Sequence, residues 1–185
     1  MFRVVSLVLA VSGLGLVSSA WADEGEDRAA AIVEKLGGRV TRDDKAPGKP
    51  VVGVSFANKA ALKVGNADLK ELAALKNLTT LSLRGTSVTD AGLKELTVLK
   101  QLQILDFGGT EVSDPGLKEL TRLQHLRQLY LNQTAVTDVG LKELSGFSAR
   151  GEFPQLTLIC LPNDHTSGTS KNTPTPAACV ADNDL

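Results

Sequence analysis

The sequence predicts an α/β solenoid, with a parallel β-sheet on one side of its stacked units and short helices on the other. Three successive stretches, residues 78–101, 102–125 and 126–149, superimpose at a spacing of 24 residues. Each opens with the pattern LxxLxL, with Phe107 as the last residue in the second stretch, and this pattern alternates as a β-strand does. Each continues with LxxLxxL, with Phe147 as the last residue in the third stretch, and this pattern has helical spacing. A strand and a helix within so short a unit must fold back on each other, so stacking brings the strands into one sheet.

The alternation within each strand predicts which side chains enter the core. In the first unit Leu81 faces inward, whereas Ser82 and Arg84 face outward. Leucines at the same position of each unit should stack, so Leu105 is predicted to lie between Leu81 and Leu129. The leucines of the helical part lay an apolar stripe on the same core.

Three residue types recur between the strand and the helix of each unit. Aspartate stands just before the predicted helix and is interpreted as its N-cap, which explains these carboxylates without a metal site. Threonine ends each strand, and its hydroxyl is expected to bond backbone groups in a ladder between layers. Glycine, two residues after the aspartate, is expected to allow close packing at the helix start. These residues are Asp90, Asp114 and Asp138; Thr86, Thr110 and Thr134; and Gly92, Gly116 and Gly140.

The first residues predict an exported chain. Residues 1–22 have the order of a signal peptide, with a basic start, a short apolar run and Ala20-Trp21-Ala22 before an acidic segment. The apolar run is shorter than the roughly 20 residues that a membrane span needs. Residues 23–50 are predicted to form an N-terminal cap, with a helix at 26–36 and a short strand at 39–42.

The recurring unit, LxxLxLxxTxV(T/S)DxGLKELxxL, resembles a leucine-rich repeat of the short type found in ribonuclease-inhibitor-like proteins and in many exported bacterial proteins. The clear match covers residues 78–149. The resemblance implies a leucine-rich-repeat solenoid with the sheet on its concave side and the helices on its convex side. A divergent unit precedes the match and a further strand follows it, so residues 51–162 are interpreted as about four to five repeats. These flanking elements are Val51-x-x-Val54-x-Phe56, Asn66-x-x-Leu69-x-x-Leu72-x-x-Leu75 and Phe153-x-x-Leu156-x-Leu158.

The C-terminal residues carry both cysteines of the chain. Residues 163–185 are rich in Asn, Asp, Ser, Thr and Pro and are predicted to be disordered. Cys160 and Cys179 could form a disulfide in an oxidising compartment, or could stay unpaired with Cys160 in the core. A catalytic pair of Cys160 and His165 would lack a third group, and His125 falls in a bend before a strand. No catalytic residue, metal ligand or cofactor is therefore predicted.

The composition and the outward strand positions together favour a binding protein. Lys and Arg number 20 and Asp and Glu number 21, giving a net charge of −1, so no nucleic-acid partner is expected. The predicted concave face carries varied polar residues with an exposed tyrosine and arginine, two residue types that are frequent in interface hot spots. The predicted protein-binding residues are Thr80, Ser82, Arg84, Asp106, Gln128, Tyr130 and Asn132.

The sequence thus predicts a monomeric, non-enzymatic module that binds a protein or peptide, is periplasmic or secreted, and does not insert into a membrane once its signal peptide is removed. A structural or envelope-associated spacer without a specific ligand is the alternative, and the lone aromatic of the face argues against carbohydrate binding. Within the face, Tyr130 is expected to neighbour Asp106 and Thr157. Arg84 is expected to complete an acid–base pair.

Overall fold

The computed structural model describes residues 24–56, 64–149 and 157–159, with the backbone alone for 145–149 and 157–159. The elements are α1 (Glu24–Lys35), β1 (Arg39–Arg42), β2 (Val51–Ser55), α2 (Leu69–Leu72), β3 (Thr80–Ser82), α3 (Asp90–Leu96), β4 (Ile104–Asp106), α4 (Asp114–Leu117) with a 3-10 helix (Lys118–Arg122), β5 (Gln128–Tyr130), α5 (Asp138–Ala149) and β6 (Thr157–Ile159). Strands and short helices alternate from β2 onward, as the repeated pattern predicts.

The strands of the described residues form one six-stranded sheet in the order of the sequence. β1 pairs antiparallel with β2, and every later pair is parallel. The register places Leu105 between Leu81 and Leu129, as predicted. A parallel pair needs a crossover connection, and here each crossover contains the short helix that follows a strand. The predicted α/β class and parallel sheet are confirmed.

The core lies between the sheet and the helices. Leu81, Leu105 and Leu129 of the strands are 0% exposed, and the helix residues Leu93 and Leu117 are equally buried. Because each unit is too small to cover its own apolar face, the face is closed by the layers on either side. The core is therefore continuous along the stack instead of being divided among the repeats.

The helices are short, and one changes type. α4 ends after Leu117 and continues as a 3-10 helix through Leu120 toward Leu123. These three leucines are buried and lie three residues apart. A 3-10 helix has three residues per turn, so this spacing keeps the leucines on one side of the tighter helix.

Two members of the aspartate column, Asp90 and Asp114, join neighbouring layers and do not cap their own helices. Asp90 and Asp114 are the first residues of α3 and α4, and the N-cap residues before them make no capping side-chain hydrogen bond. The carboxylate of Asp90 accepts bonds from the N–H and the hydroxyl of Ser113 in the next layer, at 2.8 and 2.5 Å. Asp114 accepts the same two bonds from Thr137, at 2.7 and 2.6 Å. The N-cap interpretation is therefore wrong for both residues.

The same contact explains the glycine column. In the divergent layer Asn66 replaces the aspartate; its Oδ1 accepts the N–H of Thr89 at 3.0 Å and its Nδ2 donates to the Thr89 hydroxyl at 2.8 Å. A Cβ atom at Gly92 would overlap Asn66, and one at Gly116 would overlap the carboxylate of Asp90. Glycine is thus required where the polar side chain of the preceding layer passes over the helix start, which confirms the predicted close packing.

The threonines that end the strands bond backbone groups, but within their own layer. Each hydroxyl donates to the carbonyl oxygen three residues earlier, so the predicted ladder between layers is wrong. A threonine hydroxyl has one hydrogen to donate, and the nearest carbonyl oxygen that can accept it belongs to its own turn. The hydroxyl therefore donates no bond to the next layer. The bonds run from Thr86 to Leu83 (2.6 Å), from Thr110 to Phe107 (2.6 Å) and from Thr134 to Leu131 (2.7 Å).

The N-terminal helix and strand lie against the first parallel strand. α1 buries Ala29 and Val33. Glu26, 8% exposed, accepts the N–H of Val51 at 2.6 Å. Arg42 forms an ion pair with Asp27 at 2.7 Å. The helix and strand predicted within residues 23–50 are present, and the antiparallel β1 gives the sheet a first strand that differs from the repeats.

The last strand lies two residues later than predicted. Leu158, and not Leu156, aligns with Leu129, so Thr157 pairs with Gln128 and Ile159 pairs with Tyr130. Strand positions alternate with a period of two, so a shift of two residues leaves the alternation of the sequence unchanged. Only the backbone pairing distinguishes the two registers, and the predicted neighbourhood of Tyr130 and Thr157 is wrong.

Several sequence predictions lie outside the described residues. These are the signal peptide at 1–22, the tail at 163–185, the pairing of Cys160 with Cys179, and His165. The boundaries of the repeat domain at 51–162 stay a prediction.

Candidate binding face

The side of the sheet opposite the helices carries two outward columns of side chains. One column contains Gly53, Thr80, Ile104 and Gln128, and the other contains Ser55, Ser82, Asp106 and Tyr130. The positions after the strands continue outward with Arg84, Gly108 and Asn132. We call these eleven positions the outer sheet face. Parallel strands about 4.8 Å apart in a common register give this face a regular spacing.

Tyr130 lies half-buried beside Asp106 on the neighbouring strand. Its hydroxyl contacts Oε1 of Gln128, two residues earlier on the same strand, at 3.5 Å. Ile104 lies beside Gln128, so the Tyr130 ring and Ile104 are diagonal neighbours within reach of one bound side chain. The face therefore offers an aromatic and an aliphatic group next to a hydrogen-bonding amide.

The Asp106 carboxylate accepts hydrogen bonds from its own layer and from the preceding layer. One carboxylate oxygen accepts the N–H of Gly108 at 2.8 Å, and the other accepts the Ser82 hydroxyl at 3.2 Å. None of the ion pairs among the described residues joins Arg84 to Asp106. The expected acid–base pair is not formed, because the register places Ser82 and not Arg84 beside Asp106. Arg84 is exposed, and none of the ion pairs among the described residues includes it.

Asn132 differs from the exposed position that the alternation predicts. It is only 7% exposed, and its Oδ1 is buried without a hydrogen-bond partner. A Cβ at Gly108 would come within 2.8 Å of this Oδ1, so the amide lies over the glycine of the preceding layer. The missing side chain of Gly108 is the signal that could have predicted this burial. The Asn132 side chain is therefore buried beneath the outer sheet face and is not one of the exposed side chains of that face.

The carboxylates and histidines of the described residues do not gather into a metal site. Among residues 24–56, 64–149 and 157–159 there is no group of three or more His, Cys, Asp and Glu side chains that could hold a metal ion. His125 lies in the turn before β5, and its Nδ1 is 2.8 Å from the carbonyl oxygen of Lys100. Over the same ranges no helix has the length and apolar character that crossing a bilayer requires.

Comparison with known proteins identifies the repeat. A model of the leucine-rich repeat family matches residues 74–96 and 122–145, so the chain contains leucine-rich repeats. The matched segments cover parts of the first and third predicted units. No curated protein matches the chain significantly.

Three solved structures illustrate the similarity. An internalin from Listeria monocytogenes is 26% identical over 49% of this chain and 24% of its own, with a TM-score of 0.39. A leucine-rich-repeat protein from Leptospira interrogans is 26% identical over 48% of this chain and 21% of its own, with a TM-score of 0.36. The leucine-rich-repeat ectodomain of the receptor kinase SOBIR1 from Arabidopsis thaliana is 16% identical over 75% of this chain and 92% of its own, with a TM-score of 0.49. This chain spans less than a quarter of the length of the two bacterial proteins.

Proposed function

We propose that this chain is a non-enzymatic module that binds a protein or peptide through the outer sheet face. The observation that carries the proposal is the set of outward columns on the in-register parallel strands, where Tyr130, Gln128 and Ile104 form one patch. Leucine-rich repeats typically serve protein interaction. A rigid sheet contributes to affinity because little conformational entropy is lost when its side chains meet a partner.

The chemistry of the face suggests how a partner is held. Arg84 and Asp106 are its only charged residues, and both oxygens of Asp106 are already hydrogen-bonded. Apolar contact with Tyr130 and Ile104 would supply most of the affinity, since aromatic side chains combine a large area with a polar end. The exposed guanidinium of Arg84 would orient an acidic or carbonyl group of the partner.

The repeat type, the cellular location and the oligomeric state are inferred from the sequence. We infer a ribonuclease-inhibitor-like array of short repeats, exported to the periplasm or outside the cell and acting as a monomer on a protein partner. If residues 1–22 are a signal peptide, amino-terminal sequencing of the exported protein should begin at Asp23. Recovery of an intact Met1 in washed membranes would contradict export by cleavage.

The function can be tested by capture with matched variants. The chain from Asp23 onward serves as bait in the exported protein fraction, and the captured partner is then titrated against purified variants. Tyr130→Ala and Arg84→Ala should each weaken binding by about 1–2 kcal/mol, while the free energy of unfolding stays within about 0.5 kcal/mol of the parent. Tyr130→Phe separates the contribution of the ring from that of the hydroxyl.

Control variants on the helix side decide between the two faces. Lys118 and Glu119 follow α4, and the Lys118 side chain forms an exposed ion pair with Glu143 at 3.6 Å. Lys118→Ala and Glu119→Ala should leave binding unchanged. Loss of binding in these variants, with normal binding by Tyr130→Ala, would assign the function to the helix side. Self-association without capture of any partner would instead favour the structural spacer.

A further inference from the structure

Among the described residues, the segments before and after the repeat strands carry charges of opposite sign at the two opposite edges of the sheet. Each helix returns to the starting edge of the strands through a short segment, and these segments are residues 73–79, 97–103 and 121–127, the last of which begins within the 3-10 helix. They contain basic residues and histidine but no aspartate or glutamate. We call them the basic edge. Its basic side chains, all exposed, are Lys76, Lys100, Arg122, His125 and Arg127.

Contacts between the turns show that these groups form one surface. Lys100 donates its Nζ to the carbonyl oxygen of Arg122 in the next layer at 3.2 Å, and the His125 ring meets the carbonyl oxygen of Lys100 at 2.8 Å. Lys76 and Lys100 both stand four residues before aligned strand positions, Thr80 and Ile104, so they are neighbours in successive layers. Arg127 continues the row toward the outer sheet face.

Among the described residues, no carboxylate forms an ion pair with this row. None of the ion pairs among the described residues includes Lys76, Lys100, Arg122 or Arg127. The loop before β2, at the same edge, is balanced in charge, with Asp43 and Asp44 against Lys45 and Lys49. The unpaired charge therefore belongs to the repeat turns. Four basic side chains on successive layers of one exposed edge repel one another, and an external anion reduces that repulsion.

The opposite edge has the reverse charge. The segments that follow the strands carry Asp68, Asp90, Glu111, Asp114 and Asp138, with Arg84 as their cation among the described residues. Over the described residues the two edges thus form a charge dipole across the sheet, although the net charge of the chain is −1. Such a dipole turns the basic edge toward an extended negative surface and the acidic edge away from it.

We propose that the basic edge binds the phosphate groups of an anionic phospholipid surface, so that the repeat stack stands edge-on upon a membrane without inserting. A plane of lipid phosphates fits the row better than a soluble acidic protein, because the turns of successive layers end at one edge and meet a plane together. A plane also acts on the whole dipole, which a small ligand does not. Edge-on attachment leaves the outer sheet face open, but this inference does not depend on that face binding a partner.

The test uses the full chain from Asp23 onward and vesicles of defined composition. Co-sedimentation should show binding to vesicles rich in phosphatidylglycerol and none to phosphatidylcholine vesicles. Binding should weaken steeply between about 50 and 300 mM salt, because screening shortens the reach of each charge. The triple variant Lys76→Gln, Lys100→Gln and Arg127→Gln should bind at least about tenfold more weakly at low salt.

A matched control keeps the net charge equal. The variant Lys70→Gln, Lys94→Gln and Lys118→Gln also loses three exposed cationic side chains, here from the helix side, and should bind the vesicles as the parent does. Equal losses in both triple variants would overturn the proposal, because net charge and not the edge would then govern binding. Binding to polyglutamate without binding to phosphatidylglycerol vesicles would also overturn it, and would assign the edge to an acidic protein partner. Circular dichroism and urea unfolding check that both variants fold.

Discussion

Replacement of Asp90 by alanine tests how the layers are joined. The half-buried Asp90 carboxylate receives two hydrogen bonds from Ser113, at 2.8 Å from the N–H and 2.5 Å from the hydroxyl. Hydrogen bonds to charged groups contribute about 1.5–3 kcal/mol each, and two bonds that share one carboxylate are not fully additive. Asp90→Ala should therefore lower the free energy of unfolding by about 2–4 kcal/mol. Urea unfolding followed by far-UV circular dichroism measures the loss.

Asp90→Asn is the informative companion variant. Asn66 makes the equivalent contact in the divergent layer, with its carbonyl oxygen on the Thr89 N–H and its amide on the Thr89 hydroxyl. The Ser113 hydroxyl can accept as well as donate, so an asparagine at position 90 keeps both bonds. We expect Asp90→Asn to cost less than about 1 kcal/mol, since neutral bonds replace charge-assisted ones.

A double-mutant cycle separates the layer contact from any effect of Asp90 on its own helix. Ser113→Ala removes the hydroxyl and leaves the N–H in place. If the contact joins the layers, the cycle between Asp90→Ala and Ser113→Ala should give a coupling of at least about 1 kcal/mol. A coupling near zero, or an Asp90→Asn variant as unstable as Asp90→Ala, would refute this reasoning and return Asp90 to a role within α3.

Two further substitutions probe the core and the glycine column. Leu105→Ala should lower the free energy of unfolding by about 2–5 kcal/mol, because removing a fully buried leucine that lies between two others leaves a cavity. A loss below about 1 kcal/mol, or an equal loss in the outward variant Thr80→Ala, would contradict the assigned faces. Gly116→Ala should cost about 1–3 kcal/mol in the same urea assay, because its Cβ meets the Asp90 carboxylate. In an Asp90→Ala background that cost should largely vanish, and an undiminished cost would point to strain elsewhere.

The periodicity of the sequence by itself determined much of this fold. The alternation around Leu81 and Leu105, and the three-residue spacing of the helix leucines, are local properties of the chain that repeat in each unit. They determined the α/β class, the parallel order of the strands, the buried leucines and the outward position of Tyr130. The glycines of the helix starts were also predictable, since their constant position in the repeated unit points to close packing at one place.

The tertiary structure decided which groups meet across layers. The register of β6, the burial of Asn132 and the hydrogen-bond partners of Asp90 each depend on a neighbouring layer. The alternation of residues within one layer does not distinguish the observed contact from other possible contacts. The separation of charge between the two edges also depends on the tertiary structure. The composition shows only a nearly neutral chain, whereas the stacking brings together like charges from turns about 24 residues apart. A periodic sequence determines the shape of each layer, because that depends on near neighbours along the chain. The contacts between layers depend on distances in space, and only the folded stack sets those distances.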